Sequence, residues 1–105
     1  MGLYNTFVHE ISCSNCNKNY ESRSQFKYGD LWDYEYRVGE RIRLRNDSEA
    51  TWEIVAELWC DECPTCSKHD VRQLRLRHGT IVGEVPREQY FNLKGQEWGR
   101  VNVTN

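Results

Sequence analysis

The feature that most constrains this chain is the placement of its five cysteines. Two Cys-x-x-Cys pairs, Cys13–Cys16 and Cys63–Cys66, are separated by residues 17–62. A two-residue gap lets a tight turn direct both thiolates at one cation, while backbone N–H groups of the turn donate to the sulfurs. Because five is an odd number, the cysteines cannot all pair as disulfides. The spacing therefore predicts one zinc ion in a tetrahedral four-thiolate site.

The fifth cysteine leaves the second half of the site open. Cys60 and Cys63 also form a Cys-x-x-Cys pair, so either Cys60 or Cys66 could complete it. Cys63 with Cys66 is favoured, because Pro64 stiffens the turn and because a small polar residue and a lysine follow, as they follow the first pair. His69 is a further ligand candidate, but a surface role is favoured because the thiolates suffice. The predicted metal ligands are Cys13, Cys16, Cys63 and Cys66, with Cys60 as the alternative.

A site of four thiolates has consequences for function. It leaves no open position for water or substrate, so it contributes folding free energy instead of Lewis-acid catalysis. No catalytic spacing involves the three histidines, and the glycines form no phosphate-binding loop. The sequence therefore predicts that the chain is not an enzyme. The same thiolates also bind iron, so a rubredoxin-like electron carrier remains an alternative.

Frequent turn signals separate short segments rich in aromatic and β-branched residues, which predicts a mostly β fold. The predicted strands are 6–12, 19–27, 40–45, 72–77 and 81–85. The first two flank Cys13–Cys16 and would form a hairpin across it, and the last two form a second hairpin. Segment 48–59 is favoured as a strand over a capped helix. Pro86 is placed to begin one short helix.

Composition limits the size and location of the domain. The chain of 105 residues is 38% hydrophobic and 29% charged. That hydrophobic fraction is low for a small domain that must fold on its core alone, without a metal site. We expect a zinc-ribbon-like domain at 1–85 with a C-terminal extension, 86–105, packed on it. No apolar run is long enough to span a membrane, and residues 1–12 lack a signal-peptide core. The predicted location is the cytoplasm, where thiols stay reduced.

Alternating arginines suggest an alternative function. They fall in two rows, Arg41, Arg43 and Arg45, and Arg75 with Arg77. Basic side chains beside the aromatics of segment 31–36 could bind single-stranded nucleic acid. The formal net charge of −2 argues against this, and neighbouring glutamates offer cross-strand partners. A solvated sheet face is therefore favoured.

Several segments together resemble a family of small uncharacterised zinc-ribbon proteins from bacteria and phages. They are MGLYNTF at 1–7, the pair at 13–16, GDL at 29–31, YRVGERI at 36–42, the pair at 63–66 and GTIVG at 79–83. The resemblance implies a zinc-ribbon fold with rubredoxin-like knuckles and with Cys13, Cys16, Cys63 and Cys66 as ligands. The chain departs from the pattern in Cys60, in the long insert before it, and in the stretch after Val85.

These observations predict a structural zinc-binding domain that acts as a protein-interaction or adaptor module. Its expected partner is another protein, and no membrane contact is expected. An accessory nucleic-acid-binding role and a rubredoxin-like role remain the two alternatives.

Overall fold

The structure, a computed structural model, describes residues 4–96 and 99–104. Strands dominate, and two short 3₁₀ turns lie wholly within these ranges, so the predicted mostly β fold is confirmed. The strands are β1 (Asn5–Ser12), β2 (Asn19–Phe26), β3 (Glu35–Tyr36), β4 (Glu53–Glu62), β5 (His69–Arg77), β6 (Thr80–Glu84) and β7 (Arg100–Asn102). The 3₁₀ turns are Asp47–Thr51 and Arg87–Gln89. Neither is long enough to span a membrane, and no described helix is.

The strands form one sheet in the order β3-β1-β2-β4-β5-β6, with β7 paired to the first half of β4. Two long antiparallel hairpins, β1–β2 and β4–β5, dominate this sheet, and each ends in a Cys-x-x-Cys turn. The hairpins share one ladder position, Gln25 with Trp59. Beyond it, the Asp61 amide donates to Ser22 Oγ (2.9 Å) and the Asp61 carboxylate accepts from the Arg23 amide (2.8 Å). The cysteine ends of the hairpins therefore meet outside the regular ladder.

Strand alternation places the main core on one face of the sheet. Its buried members are Phe7, Phe26, Tyr28, Tyr36, Ile42, Ile54, Leu58, Leu74, Leu76 and Ile81. A second cluster of Val55, Val85 and Leu93 covers the opposite face of β4, where Val101 of β7 also packs. Because β4 is buried on both faces, its middle is a nearly continuous apolar run.

Most predicted elements are present. Both predicted hairpins form, as β1–β2 and β5–β6. Segment 48–59 becomes a 3₁₀ turn followed by a strand from Glu53. The short helix expected at Pro86 is the 3₁₀ turn Arg87–Gln89. The predicted strand at 40–45 is wrong, because its only ladder contact is an isolated bridge between Arg41 and Thr80. Its alternation nevertheless persists, with Ile42 buried and the arginines exposed.

Candidate metal centre

The two Cys-x-x-Cys turns have the same backbone structure. In the first knuckle (residues 13–18) the Cys13 amide donates to Lys18 O (2.8 Å), and the Asn17 amide donates to Cys13 O (2.9 Å). The second knuckle (residues 63–68) repeats both bonds from Cys63, each at 2.9 Å. The residue after the last cysteine of each knuckle is left-handed, with φ of 63° at Asn17 and 64° at Ser67. The two turns therefore present their thiols in matching ways.

The four knuckle sulfurs form one compact cluster. All of them, from Cys13, Cys16, Cys63 and Cys66, lie within 4.8 Å of one another. Two sulfur–sulfur contacts cross between the hairpins, at 3.5 Å for Cys13 with Cys66 and 3.6 Å for Cys16 with Cys63. A tetrahedron with metal–sulfur bonds of ~2.3 Å has edges of about 3.8 Å, whereas a disulfide bond is ~2.0 Å long. The thiols are thus free, and the cluster could hold one metal ion.

Two of these thiols have shifted pKa values. The Asn15 side chain and the Lys68 amide lower the pKa of Cys66 to about 6. A backbone bond within the first knuckle favours the Cys16 thiolate, but lost hydration and bonds shared with the other sulfurs raise its pKa to about 12. The Asn15 amide also donates to Cys13 Sγ at 3.4 Å. Clustered thiols resist deprotonation together, whereas a bound cation would favour the thiolate at every position.

A buried carboxylate attaches the first knuckle to the second hairpin. Asp70 of β5 accepts from Ser14 Oγ (2.6 Å), from the Ser14 amide (3.3 Å) and from Arg72 Nη2 (2.9 Å). Burial alone would raise the pKa of Asp70, but the bonds from Ser14 and Arg72 lower it overall. Arg72 Nη2 also donates to Ser12 O (2.6 Å). Asp70 is therefore a charged clamp between the hairpins, beside the sulfur cluster.

A second polar chain extends from the clamp through Arg72, and no sequence pattern predicts it. Arg72 Nη1 donates to Glu84 (3.1 Å), His9 Nδ1 contacts Glu84 Oε2 (3.0 Å), and His9 Nε2 contacts Ser24 Oγ (2.7 Å). The order acid, imidazole, hydroxyl matches that of a hydrolase triad. Ser24, however, is fully buried and also bonded to Ser22 Oγ (2.7 Å). Ser24 therefore offers no hydroxyl to a substrate, and this row of polar side chains acts in packing and charge compensation.

The remaining sequence candidates lie apart from the cluster. Cys60 is inside β4, buried, with its sulfur 3.9 Å from Leu58 O, and burial raises the pKa of its thiol. His69 is exposed, with its Nε2 3.7 Å from Glu62 Oε2. Neither belongs to the group of residues that the structure brings together around a metal position.

The two arginine rows differ from each other. Arg75 Nε and Arg77 Nη2 both contact Glu53 Oε1, at 2.9 and 3.0 Å, as expected for a solvated sheet face. The guanidinium carbon of Arg43 instead lies 4.7 Å from the centre of the Tyr34 ring.

The sulfur cluster and the clamp indicate which chemistry this chain can carry out. Four thiols arranged by two matching turns can bind one ion, and the surrounding bonds fix the turns in place. Comparisons with protein-family models, with curated proteins and with solved structures find no match for this chain.

Proposed function

We propose that the chain is a structural zinc domain in which Cys13, Cys16, Cys63 and Cys66 hold one ion. The observation that carries this proposal is that the four sulfurs cluster within 4.8 Å, with contacts of 3.5 and 3.6 Å running between the two hairpins. Those hairpins share a single ladder position, so an ion bound there would join them where the sheet does not. Its binding free energy is then folding free energy.

Zinc is proposed over iron because the site lies between the two hairpins, where an ion would stabilise the fold. Zinc is the usual ion of closed four-cysteine structural sites. Thiolate ligands alone bind both metals. Iron in this cage would make the purified protein coloured, so a colourless protein with one equivalent of zinc supports the proposal. A coloured protein with one equivalent of iron would instead support the rubredoxin-like alternative.

The register of the site can be tested with five matched variants. Native mass spectrometry of the wild type should show one zinc ion per chain. The ion should be lost in Cys13→Ser, Cys16→Ser, Cys63→Ser and Cys66→Ser. Cys60→Ser is the control that should retain it, because the Cys60 sulfur lies outside the cluster. Loss of zinc from the control with retention in Cys66→Ser would contradict the proposed ligand set.

We further propose that this domain works in the cytoplasm as a protein-interaction or adaptor module. A closed thiolate site offers no coordination position for a reaction, which supports binding over catalysis. Exposed apolar side chains support a protein partner: Val38 and Val82 are 63% and 46% exposed. Val38 lies beside β6, because a Cβ on Gly83 would sit 3.8 Å from Val38 Cγ2.

Site-specific photo-crosslinking in cells tests the adaptor role. A photoreactive residue at Val38 should give discrete crosslinked products with another protein. The same residue at Val71, which is 52% exposed but lies on β5, is the control and should give none. Equal products from both positions, or none from either, would contradict an interaction surface at Val38.

A further inference from the structure

We propose that the extended segment bearing Arg41 and Arg43, together with Tyr34, is a binding surface for single-stranded nucleic acid. We call this surface of Arg41, Arg43 and Tyr34 the arginine row. The inference goes beyond the adaptor role and does not depend on which metal the cluster binds.

Alternation along this segment puts its charges on one side. Arg41, Arg43 and Arg45 are exposed, whereas Ile42 is buried and Leu44 is half-buried. Residues two apart in an extended chain are about 6.6 Å apart. That separation is of the same order as the spacing of successive phosphates along an extended single strand, so neighbouring arginines can contact neighbouring phosphates.

The backbone of the arginine row is held in place before any ligand binds. The Asp30 amide donates to Arg43 O (2.8 Å), and the Ile42 amide donates to Gly79 O (2.8 Å). The Arg43 amide donates to the Tyr36 hydroxyl at 3.1 Å. Such a segment needs little ordering on binding, which favours affinity.

Arg41 and Arg43 differ from several other arginines in their ion pairing. Arg23 pairs with Glu35 and Arg37 with Glu21, for example. No ion pair with a carboxylate involves Arg41 or Arg43 within residues 4–96 and 99–104. The carboxylate of neighbouring Glu40 instead accepts from the Arg37 amide at 2.6 Å. Arg41 and Arg43 thus contribute local positive charge on a chain of net charge −2.

Aromatic faces beside the row favour a ligand with bases over a simple polyanion. Arg43 stacks over Tyr34 at 4.7 Å, which makes a combined cationic and aromatic platform. Trp32, two residues earlier in the same loop, is 62% exposed. Unpaired bases stack on such side chains, whereas the bases of a duplex are already stacked on each other. Single-stranded nucleic acid is therefore the occupant that fits best.

Fluorescence anisotropy with a labelled single-stranded oligothymidine tests this inference on the metal-loaded chain. The wild type should bind at low salt and weaken as salt is added. Arg41→Gln/Arg43→Gln should weaken binding about tenfold, and it should reduce the slope of log affinity against log salt by about 1.4, or ~0.7 for each lost phosphate contact. Trp32→Ala should weaken binding about tenfold through lost stacking.

The control is Arg23→Gln/Arg37→Gln, which removes the same charge from exposed arginines that are already paired. It should bind as the wild type does. Equal weakening in both double variants, or no wild-type binding at low salt, would overturn the proposal. So would equal affinity for a heparin fragment of matched charge together with no effect of Trp32→Ala. Metal content measured for each variant separates this outcome from a failure of the zinc proposal.

Discussion

Replacing Asp70 with Asn should destabilise the fold far more than its size change suggests. The carboxylate accepts three hydrogen bonds, two from Ser14 and one from Arg72, and its side chain is only 4% exposed. Hydrogen bonds to a charged group contribute about 1.5–3 kcal/mol each. An asparagine can still accept from the Ser14 hydroxyl, but its NH2 group would then face two donors, the Ser14 amide and Arg72 Nη2. We therefore expect a loss of about 3 kcal/mol, at the lower end of the 3–5 kcal/mol of a fully broken buried pair.

The assay is urea unfolding of the metal-loaded variants with zinc in excess. In a thermal melt, the same loss of unfolding free energy corresponds to a fall in melting temperature of roughly 15 °C for a domain of this size. The control is Glu21→Gln, because Glu21 meets Arg37 at 3.9 Å on an open surface and such pairs contribute less than ~1 kcal/mol. The Asp70 variant should also bind zinc about 10–100-fold more weakly, since it releases the first knuckle. Equal stability of the two variants would refute the clamp.

Two further changes test the backbone and the surface charges. Gly29→Ala should cost about 3 kcal/mol or more, because φ is +81° and a Cβ would lie 2.6 Å from Arg43 O; Gly39→Ala, with φ +85° and nothing within 4 Å, should cost only ~1 kcal/mol in the same urea assay. Equal losses would show that the close contact is unimportant. The hydrogen bond from Arg77 lowers the pKa of Glu53 below its ordinary 4.5, so its contribution to stability is present above pH 4.5 and lost as pH falls through the folded pKa. The difference in unfolding free energy between wild type and Glu53→Gln should therefore be constant above about pH 5 and shrink as the pH falls below 4.5, and a difference that stays constant below pH 4.5 would contradict this.

The sequence was sufficient wherever the signal is local. The β1–β2 and β5–β6 hairpins follow from turn residues and alternation, and the knuckle turns follow from two-residue cysteine spacing. Spacing could not separate Cys60 from Cys66, because each forms a Cys-x-x-Cys pair with Cys63. The structure separates them through strand length: β4 continues to Glu62, so Cys60 remains inside the strand while the turn begins at Cys63.

The errors and omissions concern contacts between distant residues. Segment 40–45 alternates because one side is buried, but a strand also needs a neighbour to pair with, and that depends on the rest of the fold. The contact between His9 and Glu84 joins residues 75 positions apart, and no spacing rule predicts it. The Asp70 clamp is equally hidden, because Ser14 lies on the other hairpin.

The division of the sulfur cluster between two hairpins has a consequence for folding kinetics. Each hairpin closes over a short turn, and such hairpins form in about 1–10 μs. Each would therefore present two thiols early, enough to capture an ion weakly. The second pair of thiols reaches the ion only after residues 19–62 have folded and brought the two knuckles close together. Forming contacts between residues this distant in sequence is the slower step. An ion held by one hairpin would then select the arrangements in which the other is correctly placed. Metal supply during synthesis should thus govern how fast, and not only how stably, this chain reaches its native form.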